Sequence, residues 1–139
     1  MKIVRYSPKE SNIPGFGERL LAVLDRLSTS FEVIAINDGS RDASLQALRA
    51  IAATRPEFKI VDFQRNYGQT AAIMAGIDHA SGEIIVSIDA DLQNDPEDIP
   101  ALIEKLNEGY DVVSGWRKER KDDVLRRLHG FAKRREVTD

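Results

Sequence analysis

Two aspartates, Asp89 and Asp91, stand one residue apart in the acidic segment 87–96. The apolar, β-branched run over residues 83–88 predicts a buried strand, so both carboxylates belong to the point where a strand gives way to a loop. There they can reach one divalent cation, because Mg²⁺ and Mn²⁺ prefer oxygen ligands such as carboxylates and substrate phosphates. The pattern indicates a metal site for a nucleotide diphosphate. Taken alone, this Asp-x-Asp motif also fits a solvated turn, with Asp95 opening the next helix.

A second polar loop, residues 37–42, follows the predicted strand 31–36 and begins a helix. Gly39 permits a tight turn, and a helix N-terminus offers backbone N–H groups to an anion. The carboxylate of Asp38 can accept hydrogen bonds from a ribose or from the edge of a base. The alternative is an ordinary turn in which Asp42 caps the helix.

A third polar loop contains Arg65 and Asn66 and precedes a helix predicted over residues 69–80. Arg65 can face a phosphate or a carboxylate at the same edge of the sheet. The helix is rich in small residues, which we interpret as core packing close to the sheet: Ala71, Ala72, Ala75 and Gly76.

Charge is distributed unevenly along the chain. Residues 1–116 carry 11 Lys and Arg against 18 Asp and Glu, a net of −7, whereas residues 117–139 carry 9 against 5, a net of +4. We therefore divide the chain into an α/β domain over 1–116, atypical over 1–11, and a basic tail over 117–139. The tail begins with a cluster of basic residues, Arg117, Lys118, Arg120 and Lys121, which suits a phosphate-bearing acceptor or an anionic membrane surface. Beyond Arg120, a solvated charge run is the alternative.

Composition excludes several classes of protein. A chain of 139 residues with 42% hydrophobic content suits one domain with a real core. The net charge of −3 suggests no nucleic-acid partner. The absence of cysteine excludes disulfides, thiolate metal sites and cysteine nucleophiles. No run approaches the roughly 20 apolar residues of a membrane span, so we expect a cytoplasmic protein, at most peripheral at the cytoplasmic membrane face.

Strands alternate with helices along the chain, which predicts right-handed crossovers and a mainly parallel sheet with helices on both faces. The loops that follow the strands then share the carboxyl edge, where open α/β sheets bind ligands. The N-terminus fits least well. The strand expected before the helix 15–28 is only 2–6, and Arg5 is unsuited to a strand buried on both faces, so we expect an edge strand or a poorly ordered segment.

The three loops, in this order and spacing, resemble family 2 glycosyltransferases. Their motifs are Asn-Asp-Gly-Ser-x-Asp, Arg-Asn-Tyr-Gly-Gln and Asp-Ala-Asp-Leu-Gln, and the resemblance covers about residues 12–121. The branch is similar to the polyprenyl-phosphate sugar transferases, such as dolichol-phosphate mannose synthase. This resemblance implies a Rossmann-like nucleotide-diphospho-sugar transferase (GT-A) fold, incomplete at both ends. It also implies inverting, metal-dependent transfer of a sugar from a nucleotide-diphospho-sugar to a polyprenyl phosphate.

The resemblance also implies roles for individual residues. Asp38 would bind the base or ribose, Asp89 would position the sugar nucleotide, and Asp91 would hold Mg²⁺ or Mn²⁺ on the diphosphate, with Asp89 as a further metal ligand. Gln93 would lie near the donor sugar. The other implied positions are Glu10 and Arg65 at the donor, and Arg117, Lys118 and Arg120 at the acceptor phosphate. Asp89, Gln93 and Arg117 form the implied catalytic set.

The chain departs from the family pattern at both ends. The family's first strand normally ends in a Pro-x-Tyr-Asn-Glu type motif, of which only Glu10 is retained. At the other end, we expect the family's acceptor-side segment and membrane-associating helices to be missing, since residues 125–132 look like only the start of an amphipathic helix that does not reach its membrane partner. These departures motivate an alternative function, a catalytically inactive truncated fragment that acts as a binding or interaction module. A receiver-like phosphorylation domain fits less well, since residues 7–9 supply none of the acidic side chains that such a domain needs after its first strand.

Overall fold

A computed structural model describes residues 6–8, 13–90, 95–115 and 130–134, and for 6–8, Ala90 and 130–134 the backbone alone. Within these ranges, six strands form a single sheet: β1 (Tyr6–Pro8), β2 (Val33–Asn37), β3 (Phe58–Asp62), β4 (Ile84–Ala90), β5 (Val112–Ser114) and β6 (Gly130–Arg134). The helices are α1 (Ile13–Asp25), α2 (Ser44–Ala52), α3 (Gln69–His79) and α4 (Ile99–Asn107), with a 3₁₀ turn over Pro96–Asp98 before α4.

The sheet has the strand order β3-β2-β1-β4-β6-β5. The pairs β3–β2, β2–β1 and β1–β4 are parallel, whereas β6 runs antiparallel to both β4 and β5. The first four strands therefore end at the same edge, which we call the carboxyl edge. The prediction of a mainly parallel sheet is confirmed.

Alternate residues of the central strands face two separate helical layers. Val33 and Ala35 of β2 contribute to the core under α1, α2 and α4. Ile34 and Ile36 face the opposite side, where Ala72 of α3 packs. Helices thus cover both faces, as predicted. Of the small residues assigned to the core, Ala72 and Gly76 are buried, as predicted, whereas Ala71 and Ala75 are half-buried.

Strand β1 lies in the middle of the sheet, so the expectation of an edge strand is wrong. Tyr6 pairs with Ala35 on one side and with Ile88 on the other. The pairing covers only 6–8, one residue of the predicted strand 2–6, and residues 1–5 lie outside the described part of the chain. A strand of three residues does not need the long apolar run that a central position ordinarily demands, which explains why hydropathy misplaced it.

The basic tail contributes a strand to the sheet. Gly130–Arg134 pairs with Ile84–Ile88 of β4 and with all of β5, so the helix expected over 125–132 is wrong at its end. Long-range backbone pairing here overrides a local helical pattern. The remaining tail residues lie outside the described ranges, and the boundary at residue 116 stays a prediction. Among the described helices, none is long and apolar enough to cross a membrane.

The carboxylate of Glu32, directly before β2, connects β3 with the loop that precedes β4. Glu32 is 5% exposed and accepts hydrogen bonds from Lys59 Nζ (2.7 Å) and from the backbone N–H and hydroxyl of Ser81 (2.8 and 2.9 Å). Burial raises the pKa of Glu32, but the hydrogen bonds from Lys59 and Ser81 together outweigh it and leave this pKa below its usual 4.5.

We expect Glu32→Gln to lower the free energy of unfolding by about 1–3 kcal/mol at neutral pH, because it removes the charge from a buried acceptor of three hydrogen bonds. Since the folded pKa is the lower one, this contribution is present above pH 4.5 and is lost as the pH falls through the folded pKa. Urea denaturation across this pH range measures it. A difference from wild type that does not shrink on acidification would contradict the account. Lys59→Met should cost less, because the Lys59 side chain is 58% exposed.

Candidate functional site

Three of the predicted site residues lie at the carboxyl edge. Asp38 follows the last residue of β2, Arg65 lies in the loop after β3, and Asp89 is the second-last residue of β4. Strands β2 and β4 flank β1, so they are two strand spacings, about 10 Å, apart. The fold thus brings these three residues to one edge, as their positions after predicted strands implied.

Asp38 connects two of the loops at this edge. Its carboxylate accepts hydrogen bonds from the backbone N–H groups of Tyr67 (2.7 Å) and Gly68 (3.0 Å), and its carbonyl accepts one from Asn66 Nδ2 (3.3 Å). Gly68 precedes α3, which begins without a capping side chain of its own. Asp38 therefore satisfies N–H groups beside the start of α3 from another loop. Each carboxylate oxygen retains acceptor capacity for a ligand.

Gly39 brings the same two loops into backbone contact. Its φ is +65°, in the left-handed region. A Cβ atom at this position would lie 2.2 Å from the carbonyl carbon of Arg65 and 2.3 Å from the backbone nitrogen of Asn66. Glycine is therefore required twice here, for its backbone conformation and for the absence of a side chain.

Asn37 was missed as a site residue by sequence reasoning. It is 3% exposed, donates from Nδ2 to Asp62 Oδ1 (2.8 Å) and accepts at Oδ1 from the Ser40 hydroxyl. Its backbone carbonyl accepts a hydrogen bond from the N–H of Phe63 (2.9 Å). A buried asparagine at the end of a predicted strand was the available signal, because its amide must find partners.

A polar cleft of about 360 Å³ lies between the loops after β2 and β3. Its lining includes Gly39, Ser40, Arg41, Asp62, Arg65 and Asn66. Two guanidinium groups and several hydrogen-bonding side chains suit a polar, anionic ligand. Arg41 is a second cation at this edge that the sequence interpretation left without a role.

Asp42 stabilises the start of α2, as the alternative interpretation of its loop predicted, but it lies one residue before the N-cap position, Ala43. Its Oδ1 accepts a hydrogen bond from the backbone N–H of Ser44 at the start of α2 (2.9 Å). Hydrogen bonds from Ser44 hold the pKa of Asp42 below its usual value. Within one loop, Asp42 therefore stabilises the start of a helix while Asp38 joins the neighbouring loop.

Asp89 lies opposite Ser7 of the central strand β1. It is half-buried, and its Oδ1 is shielded from solvent. After it, the described chain resumes at Asp95, whose Oδ1 accepts hydrogen bonds from Arg19 of α1 (2.9 Å) and from the backbone N–H of Glu97 (3.0 Å). Asp95 thus opens the 3₁₀ turn before α4, as the turn interpretation of this segment predicted.

The other predicted site residues lie outside the described part of the chain. They are Glu10, Asp91, Gln93, Arg117, Lys118 and Arg120. Asp91 and Gln93 fall between Asp89 and Asp95, both of which the structure describes. The roles assigned to these six residues stay predictions.

A model of the family described as "Glycosyl transferase family 2" matches residues 12–136. The chain belongs to this family. The resemblance inferred from the three loop motifs is thereby confirmed.

The chain is also similar to individual proteins that are named as sugar transferases or glycosyltransferases. The chain is 45% identical over 120 residues to the undecaprenyl-phosphate 4-deoxy-4-formamido-L-arabinose transferase of Aeromonas hydrophila, covering 86% of this chain and 37% of that protein. It is 47% identical over 108 residues to a Bacillus subtilis protein named as the uncharacterized glycosyltransferase YkcC, covering 78% of this chain and 33% of that protein. The family 2 chain described here thus spans about a third of the length of these relatives.

Solved structures establish the fold of this family 2 chain. The mannosyltransferase PcManGT from Pyrobaculum calidifontis, in complex with GDP-Man and Mn²⁺, superposes with a TM-score of 0.71 at 23% identity, covering 96% of this chain and 44% of that chain. TarS from S. aureus in complex with UDP superposes with a TM-score of 0.60 at 19% identity, covering 88% of this chain and 37% of the TarS chain. The predicted GT-A fold is confirmed, as a partial domain.

Proposed function

We propose that the carboxyl edge binds a nucleotide-diphospho-sugar together with a divalent metal ion, as the donor site of an inverting transferase that acts on a polyprenyl phosphate. The observation that carries this proposal is the gathering of Asp38, Arg65 and Asp89 at one edge of a family 2 domain. Relatives named as undecaprenyl-phosphate sugar transferases favour a polyprenyl phosphate as acceptor.

The nucleotide part of the donor is assigned to the loops after β2 and β3. The carboxylate of Asp38 accepts hydrogen bonds from the base or ribose, in addition to the two backbone N–H groups that fix its position. The guanidinium of Arg65 is exposed beside the polar cleft and supplies positive charge for the nucleotide. Glu10 is assigned to the donor as well, following the family pattern.

A metal ion, Mg²⁺ or Mn²⁺, is assigned to Asp89 and Asp91. The donor set fits such an ion, because Asp89 places a carboxylate at the end of a parallel strand and hard cations prefer oxygen ligands. When bound, a divalent ion neutralises the charge that develops on the departing nucleotide diphosphate. The part of these residues is to bind and orient the diphosphate at the edge of the sheet.

The acceptor phosphate is assigned to the start of the basic tail. Arg117, Lys118 and Arg120 bind the phosphate of the polyprenyl acceptor, and Gln93 holds the donor sugar. A phosphate monoester has its second pKa near 6, so it is largely an anionic nucleophile at neutral pH. Attack by its oxygen on the anomeric carbon, opposite the leaving diphosphate, inverts that carbon and needs no strong general base. We also assign peripheral membrane contact to the tail.

The test is transfer of a radiolabelled sugar from GDP- and UDP-sugars to undecaprenyl phosphate in the presence of Mn²⁺. We expect lipid-linked label with the 139-residue chain, and a decrease of about 100-fold or more in Asp91→Asn. Asp98→Asn, seven residues further along and exposed, is the matched control and should transfer normally. Donor binding without transfer would favour the inactive binding module, and activity unchanged in Asp91→Asn would contradict the metal assignment.

A further inference from the structure

We propose that Tyr67 is a positioning residue for Arg65, which it holds by a cation–π contact in the orientation that binds the nucleotide-diphospho-sugar. The guanidinium carbon of Arg65 lies 4.7 Å from the centroid of the Tyr67 ring. This inference rests on the proposed function for its ligand, whereas the contact itself is a property of the chain without ligand.

The ring of Tyr67 is held on more than one side. Phe63, at the end of β3, meets it edge to face, with centroids 5.5 Å apart and an interplanar angle of 84°. The backbone N–H of Tyr67 donates to Asp38, so the residue is fixed to the neighbouring loop as well. Tyr67 nevertheless remains 52% exposed, so part of its side chain is accessible at the carboxyl edge.

An aromatic partner suits an arginine that must bind an anion. A carboxylate at the same place would pair with the guanidinium and compete with the phosphates of the donor. The ring attracts the cation through its quadrupole and leaves the positive charge in place. Because an aromatic ring is not an ionic partner, the charge of Arg65 remains available to the nucleotide.

The competing explanation is that Tyr67 merely covers Phe63 and the end of the sheet. A structural cover would lower the stability of any variant that lacks the ring, without a specific dependence on Arg65. The two explanations therefore differ in the coupling between residues 65 and 67, which a double-mutant cycle measures.

The chain offers a matched control for this contact. Tyr110 is also 52% exposed and also carries a cation on its ring, Lys105 Nζ at 5.6 Å from the centroid. It lies between α4 and β5, and β5 runs parallel to β4, so this connection is at the edge of the sheet opposite to the site. Tyr110→Leu removes a similar contact away from the donor.

The experiment is calorimetric titration of the 139-residue chain with GDP- and UDP-sugars in Mn²⁺. We expect Tyr67→Leu to weaken donor binding about two- to fivefold. Tyr67→Phe, which keeps the ring, and Tyr110→Leu should bind as wild type does. Arg65→Gln should weaken binding about tenfold or more, and adding Tyr67→Leu to it should cause no further loss. Unchanged affinity in Tyr67→Leu, or an equal loss in the Arg65→Gln background, would overturn the inference while leaving the proposed function intact.

A second readout does not depend on the donor. Ring currents of Tyr67 should shift the Nε–H resonance of Arg65 upfield in the NMR spectrum, and this shift should persist in Tyr67→Phe and vanish in Tyr67→Leu. An Arg65 resonance that stays in place in Tyr67→Leu would overturn the contact itself. If the ring-current shift is present but the wild-type chain binds no nucleotide-sugar, the proposed function is overturned. The contact between Tyr67 and Arg65 would then stand, but its role in binding a nucleotide-sugar would not.

Discussion

Gly39→Ala is expected to lower the free energy of unfolding by about 4 kcal/mol and to abolish donor binding. Two costs combine in this variant. The backbone at Gly39 has φ +65°, a conformation that costs a residue with a side chain about 1–3 kcal/mol. In addition, the new Cβ would lie 2.2 Å from backbone of Arg65, so the loop after β3 must move away. Chemical denaturation measures the loss of stability, and titration with the donor measures the loss of binding.

Gly109→Ala separates backbone strain from the steric clash. Gly109 also has a positive φ, +111°, but a Cβ there would meet nothing within 4 Å. We expect this control to lose about 1–2 kcal/mol of stability and to bind donor normally. Equal losses of stability in Gly39→Ala and Gly109→Ala, with donor binding retained in both, would contradict the claim that close contact between the loops after β2 and β3 shapes the site.

Asp38→Ala is expected to lower the free energy of unfolding by about 2–3 kcal/mol and to reduce donor affinity at least tenfold. The substitution removes the acceptor of two backbone hydrogen bonds, from Tyr67 and Gly68. A buried bond to a carboxylate is worth about 1.5–3 kcal/mol, but Asp38 is only half-buried, so water replaces part of each bond in the variant. It also removes the group assigned to the base or ribose. Urea denaturation and calorimetric titration with the donor measure the two losses.

Asp42→Ala is the control within the same loop. Asp42 accepts a backbone hydrogen bond from Ser44 at the start of α2, whereas Asp38 bonds to the loop after β3, so the loss of Asp42 should weaken α2 and spare the donor. Asp38→Asn adds a finer test, because the two N–H groups bond to different oxygens and the amide replaces one of those oxygens with an NH₂ donor. Donor affinity in Asp38→Ala equal to that in Asp42→Ala would contradict the role of Asp38.

The helices and most strands could be predicted because their signals are local. The apolar runs at 31–36 and 83–88 match β2 and β4 closely, and Gly109 ends the last helix as expected. Since parallel strands end at one edge, placing Asp38, Arg65 and Asp89 together needed only the strand–helix alternation. This reasoning holds wherever the hydrophobic pattern and the turn residues agree.

What could not be predicted depends on contacts between distant parts of the chain. The pairing of 130–134 with β4, some 46 residues away in sequence, has no local signature in a basic tail. The same is true of Asp38, because the two N–H groups that donate to its carboxylate are 29 and 30 residues further along the chain. The central place of β1 follows from pairing on both sides of a strand only three residues long, which hydropathy alone does not reveal.

The central claim is that the carboxyl edge is a metal-dependent site for nucleotide sugars. Calorimetric titration of the 139-residue chain with GDP- and UDP-sugars, with and without Mn²⁺, tests it most directly, with circular dichroism to verify folding. We predict saturable binding of one nucleotide class that weakens markedly when Mn²⁺ is removed. Absence of binding by a folded chain, or binding of equal strength with and without the metal, would contradict the claim.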